Sequence, residues 1–481
     1  MNENLGKQVR SGFGWDLTGT FFKQISTLIV SVILARLLTP EEFGIIGMAM
    51  VFVSLSQIFV EVGFSQGLIQ SEHNSQRAYS SVFYLTFALG LIVGALIYFT
   101  APLVGLFFES DKVSKGEYTE VIRWLSLVPI ISSFGSIHNT RFVRNLQFKI
   151  LAFRNVLSTV LGGIVGVVMA YLGYGVYALV GQQLTTISLF VIILWWKSDW
   201  FPTWEFSFEE IKQLINFSGY VFLNNLLRKV FLKIDTLFIG KYFSAATLGY
   251  YSRAESLNSM VMQYTTASLR TVLFPALSKL QKDPKRFEES FFKVFNISTF
   301  LGTIICGILF FLSEEIIITL LGEIWRPSIL IFQILVFRLI VSPFGALISK
   351  SLLAKGYSKQ TFQFAQLRRL ILLFPLVFGY FYDIYAFTTA LVVAHFLGFL
   401  ISIWSSHKYL NIPFTTQLTK FFVPMIPLLV MVYLNFIHFK EFNSFLLLVI
   451  FLVIQIGYFI LIKSEGMYLS IGIAKSFLKK K

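Results

Sequence analysis

Phe217–Phe243 reads FSGYVFLNNLLRKVFLKIDTLFIGKYF, an apolar stretch with Arg228, Lys229, Lys233 and Asp235 in its middle. A bilayer core needs about 20 residues of helix, and this stretch is long enough to supply them. At ~100° per residue with Arg228 at zero, Asp235 falls near about −20° and Asn225 near about 60°. Lys229 and Lys233 follow near about 100° and about 140°. The polar groups therefore share one half of the helix, and Leu, Phe, Ile and Val fill the other. A charge at the bilayer centre costs roughly 2.5–3.5 kcal/mol on the insertion scale, so several together must face water or partners. The pattern predicts a membrane helix that lines a hydrated cavity.

A second stretch follows the same logic. In the apolar run Trp15–Leu38, the polar residues Asp16, Thr20, Lys23, Gln24, Thr27 and Ser31 form one narrow stripe. A helix–helix contact lined by Ser and Thr, with one Asp16–Lys23 pair, accounts for the same stripe. The spacing favours a cavity, because Asp16 and Lys23 lie two turns apart and each needs solvation.

The whole chain supports a membrane reading. Of its 481 residues, 56% are hydrophobic and only 14% charged, and its mean hydropathy is +0.72. Soluble domains carry about 25% charged residues. The net charge of +15 would suggest nucleic acid in a soluble protein. Here the basic residues sit mainly in short connections between spans, as the positive-inside rule expects, so no nucleic-acid partner is expected. The single Cys306 rules out an intramolecular disulfide.

Apolar runs predict an all-α polytopic membrane protein with about fourteen transmembrane helices. With the N-terminus inside, Arg141, Arg144, Lys149, Lys282, Lys355 and Lys479–Lys481 fall in inside connections. Only Lys112, Lys115, Arg326 and Lys440 fall outside, so both termini are expected to be cytoplasmic.

An internal repeat divides the chain. LARLLTPEEFG (Leu34–Gly44) aligns with IGKYFSAATLG (Ile239–Gly249). Arg36 meets Lys241, Thr39 meets Ser244, Gly44 meets Gly249 and, further back, Lys23 meets Arg228. Six spans separate the copies, so they share an orientation, which implies two six-helix lobes related by an axis along the membrane normal. The expected division is residues 1–196 for the first lobe and 197–213 for a cytoplasmic linker. Residues 214–405 form the second lobe, and residues 406–481 hold two further spans and a basic tail. At the end of the first lobe and in the linker, Trp195, Trp196, Trp200 and Trp204 are expected as an interfacial anchor. Ser207 and Glu210 have capping-box spacing.

The chain resembles the polysaccharide-transporter (Wzx-like) family of the MATE-related flippase superfamily. The resemblance rests on LARLLTPEEFG, DTLFIGKYFSAATLGYYSRAESL (Asp235–Leu257), FPALSKLQKDPKRF (Phe274–Phe287) and LLGEIWRPS (Leu320–Ser328), which occur in this order over nearly the whole chain. It implies a bacterial inner-membrane flippase moving undecaprenyl-pyrophosphate-linked oligosaccharide for O-antigen, capsule or exopolysaccharide assembly, by alternating access. It also implies membrane lipids, a polysaccharide polymerase and a chain-length regulator as partners. An anionic pyrophosphate agrees with the cavity cations Lys23, Arg228, Lys229, Lys233 and Arg338. Asp16, Asp235 and Glu255 are the acids available for ion coupling or for pairing with those cations.

Three other functions share part of the pattern. A MATE-type small-molecule exporter would favour acids in its cavity. A membrane glycosyltransferase or polymerase needs catalytic groups on substantial outer loops, which are short here. No Walker loop, H-E-x-x-H or acidic metal pair is evident, so neither enzyme activity nor a cofactor or metal is expected. A peptidoglycan-precursor lipid flippase shares the architecture, and only the quoted motifs speak against it.

Overall fold

The computed structural model describes residues 3–61, 64–70, 75–108, 115–438 and 442–478. Lys112, Lys440 and Lys479–Lys481, which contribute to the basic asymmetry, lie outside them. The chain is helical throughout the described residues, with no strand among them. The first half contains α1 (Glu3–Leu37), α2 (Pro40–Glu61), α3 (Phe64–Gln70), α4 (Gln76–Phe108), α5 (Lys115–Leu125), α6 (Leu127–Arg144), α7 (Phe148–Tyr171) and α8 (Val176–Lys197). Then come α9 (Phe208–Tyr242), α10 (Ala245–Lys279), α11 (Pro284–Phe311), α12 (Ser313–Leu321), α13 (Ser328–Leu335) and α14 (Arg338–Ala354). The chain ends with α15 (Ser358–Ile371), α16 (Phe374–Phe381), α17 (Ile384–Leu410), α18 (Phe414–Phe422), α19 (Ile426–Ile437), α20 (Ser444–Leu461) and α21 (Glu465–Leu478).

Twelve segments among the described residues are long and apolar enough to cross a membrane. Four of them join consecutive helices: Gly116–Arg144 runs through α5 and α6, Ser328–Ala354 through α13 and α14, Ser358–Phe381 through α15 and α16, and Phe414–Ile437 through α18 and α19. The other two helices of comparable length are α9 and α10, at 35 residues each. Their mid-helix charges and amides lower the mean hydropathy, which is the feature that drew attention to the Phe217–Phe243 stretch.

The chain forms two compact units, Met1–Ser252 and Arg253–Lys481. In the first, α7 lies between α1 and α8, α4 packs on α5 and α6, and α2 packs on α9. Bilayer lipid gives helices no hydrophobic reason to associate, so close backbone approach has to hold them. Gly162 and Gly166 on α7 permit that approach to α8, since a Cβ on either would run into Thr186 or Gln182. These are two of the residues through which α8 faces the cavity described below.

The repeat has a structural counterpart inside this unit. Thr39 caps α2: Glu42 Oε2 accepts from the Thr39 amide at 2.6 Å, and the Glu42 amide donates to Thr39 Oγ1 at 3.4 Å, a reciprocal capping box. The equivalent Ser244 caps α10, its hydroxyl accepting from the Thr247 amide at 3.1 Å. The helix starts meet reciprocally, Gly44 lying against the backbone of Ala245 and Gly249 against that of Pro40. Pro40 and Ala245 are themselves equivalent in the repeat, so two matched positions contact two matched positions.

The connection between α8 and α9 differs from expectation. Ser207 stands at the N-terminal cap of α9, but its side chain caps nothing, and Glu210 accepts a hydrogen bond from Ser75 instead. The capping box is replaced by contacts to α4, because Ser80 and Ser81 compete for the same backbone: they accept from the Thr203 and Ser207 amides at 3.0 and 2.8 Å. Nor do the four tryptophans act alike. Trp200 is buried against Tyr79, Phe83 and His138, and its indole N–H donates to Gln76 Oε1. Trp195 packs on Phe83 and donates to the Phe134 carbonyl. Trp196 and Trp204 stay exposed as an anchor would.

In the second unit α14, α15 and α16 pack on α17, and α11 on α14, α20 and α21. Phe295, Phe344, Phe399 and Phe421 pack ring against ring, three pairs tilted and Phe344–Phe421 edge to face, with centroids 4.1–5.3 Å apart. Such pairs add about 0.5–1.5 kcal/mol each beyond their buried area. In the LLGEIWRPS motif, Gly322 takes φ of 102°, Trp325 is fully buried, and Arg326 bridges Glu314 and Glu323.

Candidate functional site

A cavity of about 770 Å³ opens in the first unit, within the range of pockets that enclose a small ligand. Each wall is a helix face at the spacing expected of α-helix. α6 contributes Ser132, Ser136 and Asn139, and α7 contributes Asn155, Ser158 and Thr159. Gln182, Gln183 and Thr186 come from α8, Gln57 from α2, and Lys23 and Thr27 from α1. α9 adds Asn225, Arg228 and Lys229. Three lining residues are cations, twelve are uncharged polar groups and none is an acid, so a bound anion meets no repulsion from the wall.

Lys23, Arg228 and Lys229 are thus brought together. Lys229 donates to the Ser54 carbonyl at 3.2 Å, which anchors its ammonium against α2. Neither the Lys23 ammonium nor the Arg228 guanidinium makes an ion pair among the described residues. Asp16, one possible partner of Lys23, is exposed. Asp235, the corresponding acid on α9, instead accepts from the Tyr251 hydroxyl at 2.7 Å and the Thr236 amide at 2.8 Å.

The other predicted residues, Asp16, Lys233, Asp235, Glu255 and Arg338, are not among those lining the cavity. Lys233 and Asp235 are half-buried on α9. Arg338 belongs to the second unit, where it donates to Glu255 at 2.6 Å. That pair joins α10 to α14 and consumes the charge of both partners. His395 bonds the Leu391 carbonyl one turn back on its own helix.

Counting charges along single helices missed Arg154. It is only 5% exposed and lies behind the cavity wall. Its two terminal nitrogens donate to Asn139 Oδ1 at 2.7 Å and Asn155 Oδ1 at 2.9 Å, and its guanidinium sits 3.5 Å over the Phe190 ring. The polar stripe Ser132–Ser136–Asn139 and the pair Gln182–Gln183 were the available signal, since amides are rare in apolar spans without a reason. Among the described residues, no group of His, Cys, Asp and Glu is placed to hold a metal ion.

Residues 33–330 match the family model described as "Polysaccharide biosynthesis protein". The chain belongs to this family. It is similar to the succinoglycan biosynthesis transport protein ExoT of Rhizobium meliloti, 26% identical over 66% of this chain and 64% of ExoT. It is similar to the teichuronic acid biosynthesis protein TuaB of Bacillus subtilis, 23% identical over 75% of this chain and 74% of TuaB. The lipopolysaccharide biosynthesis protein WzxC of Escherichia coli is 20% identical, over 78% and 76% respectively. The fold is similar to that of a solved structure described as the lipid II flippase MurJ, inward closed conformation, with a TM-score of 0.73 at 18% identity, covering 96% of this chain and 99% of MurJ. An inward-facing multidrug MATE transporter of the MOP superfamily gives 0.64 at 16% identity, over 81% and 94%.

Proposed function

We propose that this chain is a flippase of the bacterial inner membrane, carrying an undecaprenyl-pyrophosphate-linked oligosaccharide unit between leaflets for O-antigen, capsule or exopolysaccharide assembly. The observation that carries the proposal is the acid-free cavity lined by Lys23, Arg228 and Lys229. A pyrophosphate offers only acceptors and negative charge, and charge-assisted contacts to it are worth about 1.5–3 kcal/mol each. The twelve uncharged polar groups suit the hydroxyls of a saccharide, whereas a cationic drug would be repelled. A peptidoglycan-precursor flippase shares the fold, and the family match together with the names of the relatives favours a polysaccharide unit instead. With α9 and α10 counted as spans the chain crosses about fourteen times and both termini are cytoplasmic, as the basic asymmetry requires. Alternating access then exposes the cavity to each side in turn.

The test is complementation of a deletion strain with Arg228→Gln and Lys229→Gln, alone and together. Each single variant is expected to lower export at least about tenfold, by loss of one charge-assisted contact, with lipid-linked units accumulating. Normal export by the double variant at normal membrane abundance contradicts the reading.

A further inference from the structure

We infer that Arg154 is a positioning residue that makes the α6–α7 wall of the cavity a donor surface selective for acceptor-only anionic groups, a phosphate or a sugar carboxylate. The inference deepens the proposed function and rests on it. A guanidinium has five donors and no acceptor. The asparagine atoms that face Arg154 must therefore be the carbonyl oxygens, and both are within hydrogen-bond distance. This fixes the orientation of two side-chain amides that would otherwise be free to turn over. Each Nδ2, with its two hydrogens, is left for the cavity that Asn139 and Asn155 line. Neither Nδ2 has a protein partner among the described residues. Phe190 covers one face of the guanidinium, so Arg154 cannot swing out to meet the ligand without losing that contact as well.

The arrangement separates two effects of one charge. Arg154 adds positive potential to a wall that Lys23, itself within electrostatic range of it, also serves. It also sets the direction of amides that touch the ligand while making no contact of its own. A hydroxyl of a neutral sugar can turn to accept from an amide N–H, but a phosphate or carboxylate oxygen can do nothing else. The wall therefore gains most from the anionic group, whichever part of the substrate supplies it.

Asparagine-to-aspartate changes give the test, because an aspartate keeps the acceptor toward Arg154 and removes the donor toward the cavity. Purified full-length protein in detergent is titrated calorimetrically with inorganic pyrophosphate and, separately, with glucuronate. The variants are Asn139→Asp, Asn155→Asp, Arg154→Lys, and Ser136→Asp, which adds the same charge to the cavity. Thermal unfolding monitors the fold. The expected result is that Asn139→Asp and Asn155→Asp weaken binding at least tenfold more than Ser136→Asp, with unfolding temperatures no lower than wild type. Arg154→Lys keeps the charge but cannot fork to both amides, and is expected to weaken binding as well. The anion that binds wild type identifies the source as the diphosphate or an acidic sugar. Equal losses for the three aspartate variants, or full binding by Arg154→Lys, overturn the inference and leave a role for bulk charge alone. Arg228→Gln, run in parallel, reads the proposed function separately. Failure of wild type to bind either anion overturns both.

Discussion

The reciprocal contact of Gly44 and Gly249 can be broken one carbon at a time. A Cβ on Gly44 would overlap the Ala245 carbonyl oxygen and stand 2.5 Å from its carbonyl carbon; on Gly249 it would overlap the Pro40 oxygen and stand 2.6 Å from that carbon. Both obstacles are backbone, which no side-chain rotation relieves. Ordinary carbon contacts are about 3.5 Å, so either alanine forces the starts of α2 and α10 apart by about 1 Å or more. Overpacking of this kind costs typically about 1–3 kcal/mol. Because the two sites join the same pair of helix ends, a shift that relieves one also relieves part of the other. Gly44→Ala and Gly249→Ala should each lower the unfolding temperature in detergent, and the double variant should lose clearly less than the sum. A double-mutant cycle measures that coupling. Strict additivity, or single variants as stable as wild type, would refute the claim that these glycines form one contact.

Further outcomes follow from other parts of the molecule. In a Cys306→Ser background, a cysteine at Lys282 should resist an impermeant thiol reagent added outside while one at Glu315 reacts; the reverse pattern undoes the proposed topology. Removing Arg338 or Glu255 alone should destabilise the protein by about 3–5 kcal/mol, as for a mostly buried ion pair, while Arg338→Met with Glu255→Met costs much less. Loss of export by that double variant at wild-type stability would return Arg338 to the substrate path. Trp200→Ala should cost about 3–5 kcal/mol in unfolding measurements, because the ring is buried in the α4–α6 core, whereas Trp204→Ala should change little.

Periodicity made much of this legible. The polar half of Phe217–Phe243 and the stripe of Trp15–Leu38 pointed to a shared cavity, and Arg228, Lys229 and Lys23 line one, whereas Lys233 and Asp235 of the same half do not. The repeat predicted matched positions, and Thr39 with Ser244 and Gly44 with Gly249 occupy matched surroundings. Periodicity, however, names a face and not the group that meets it. Asp235 had an arginine two turns away on its own helix, and its bond goes to Tyr251 from the next one. Glu210 had the spacing of a cap and is taken by Ser75, a partner 135 residues away in sequence. Arg154 sits near the start of its helix, where a basic residue looks like part of a charged connection, so its burial depended on neighbours that no single-helix pattern records. The seven-residue α3 carries too few residues for a period to show.

The central claim is that the cavity of the first unit holds the anionic end of a lipid-linked saccharide. A photo-crosslinking residue placed at Gln183, on the cavity wall, and another at Tyr171, which is 82% exposed, test it directly in cells making the polysaccharide. The account predicts that the saccharide-bearing lipid is captured at position 183 and not at 171, and that Arg228→Gln with Lys229→Gln abolishes the capture. Equal capture at both positions, or capture at 183 unchanged by the loss of both cations, would contradict it.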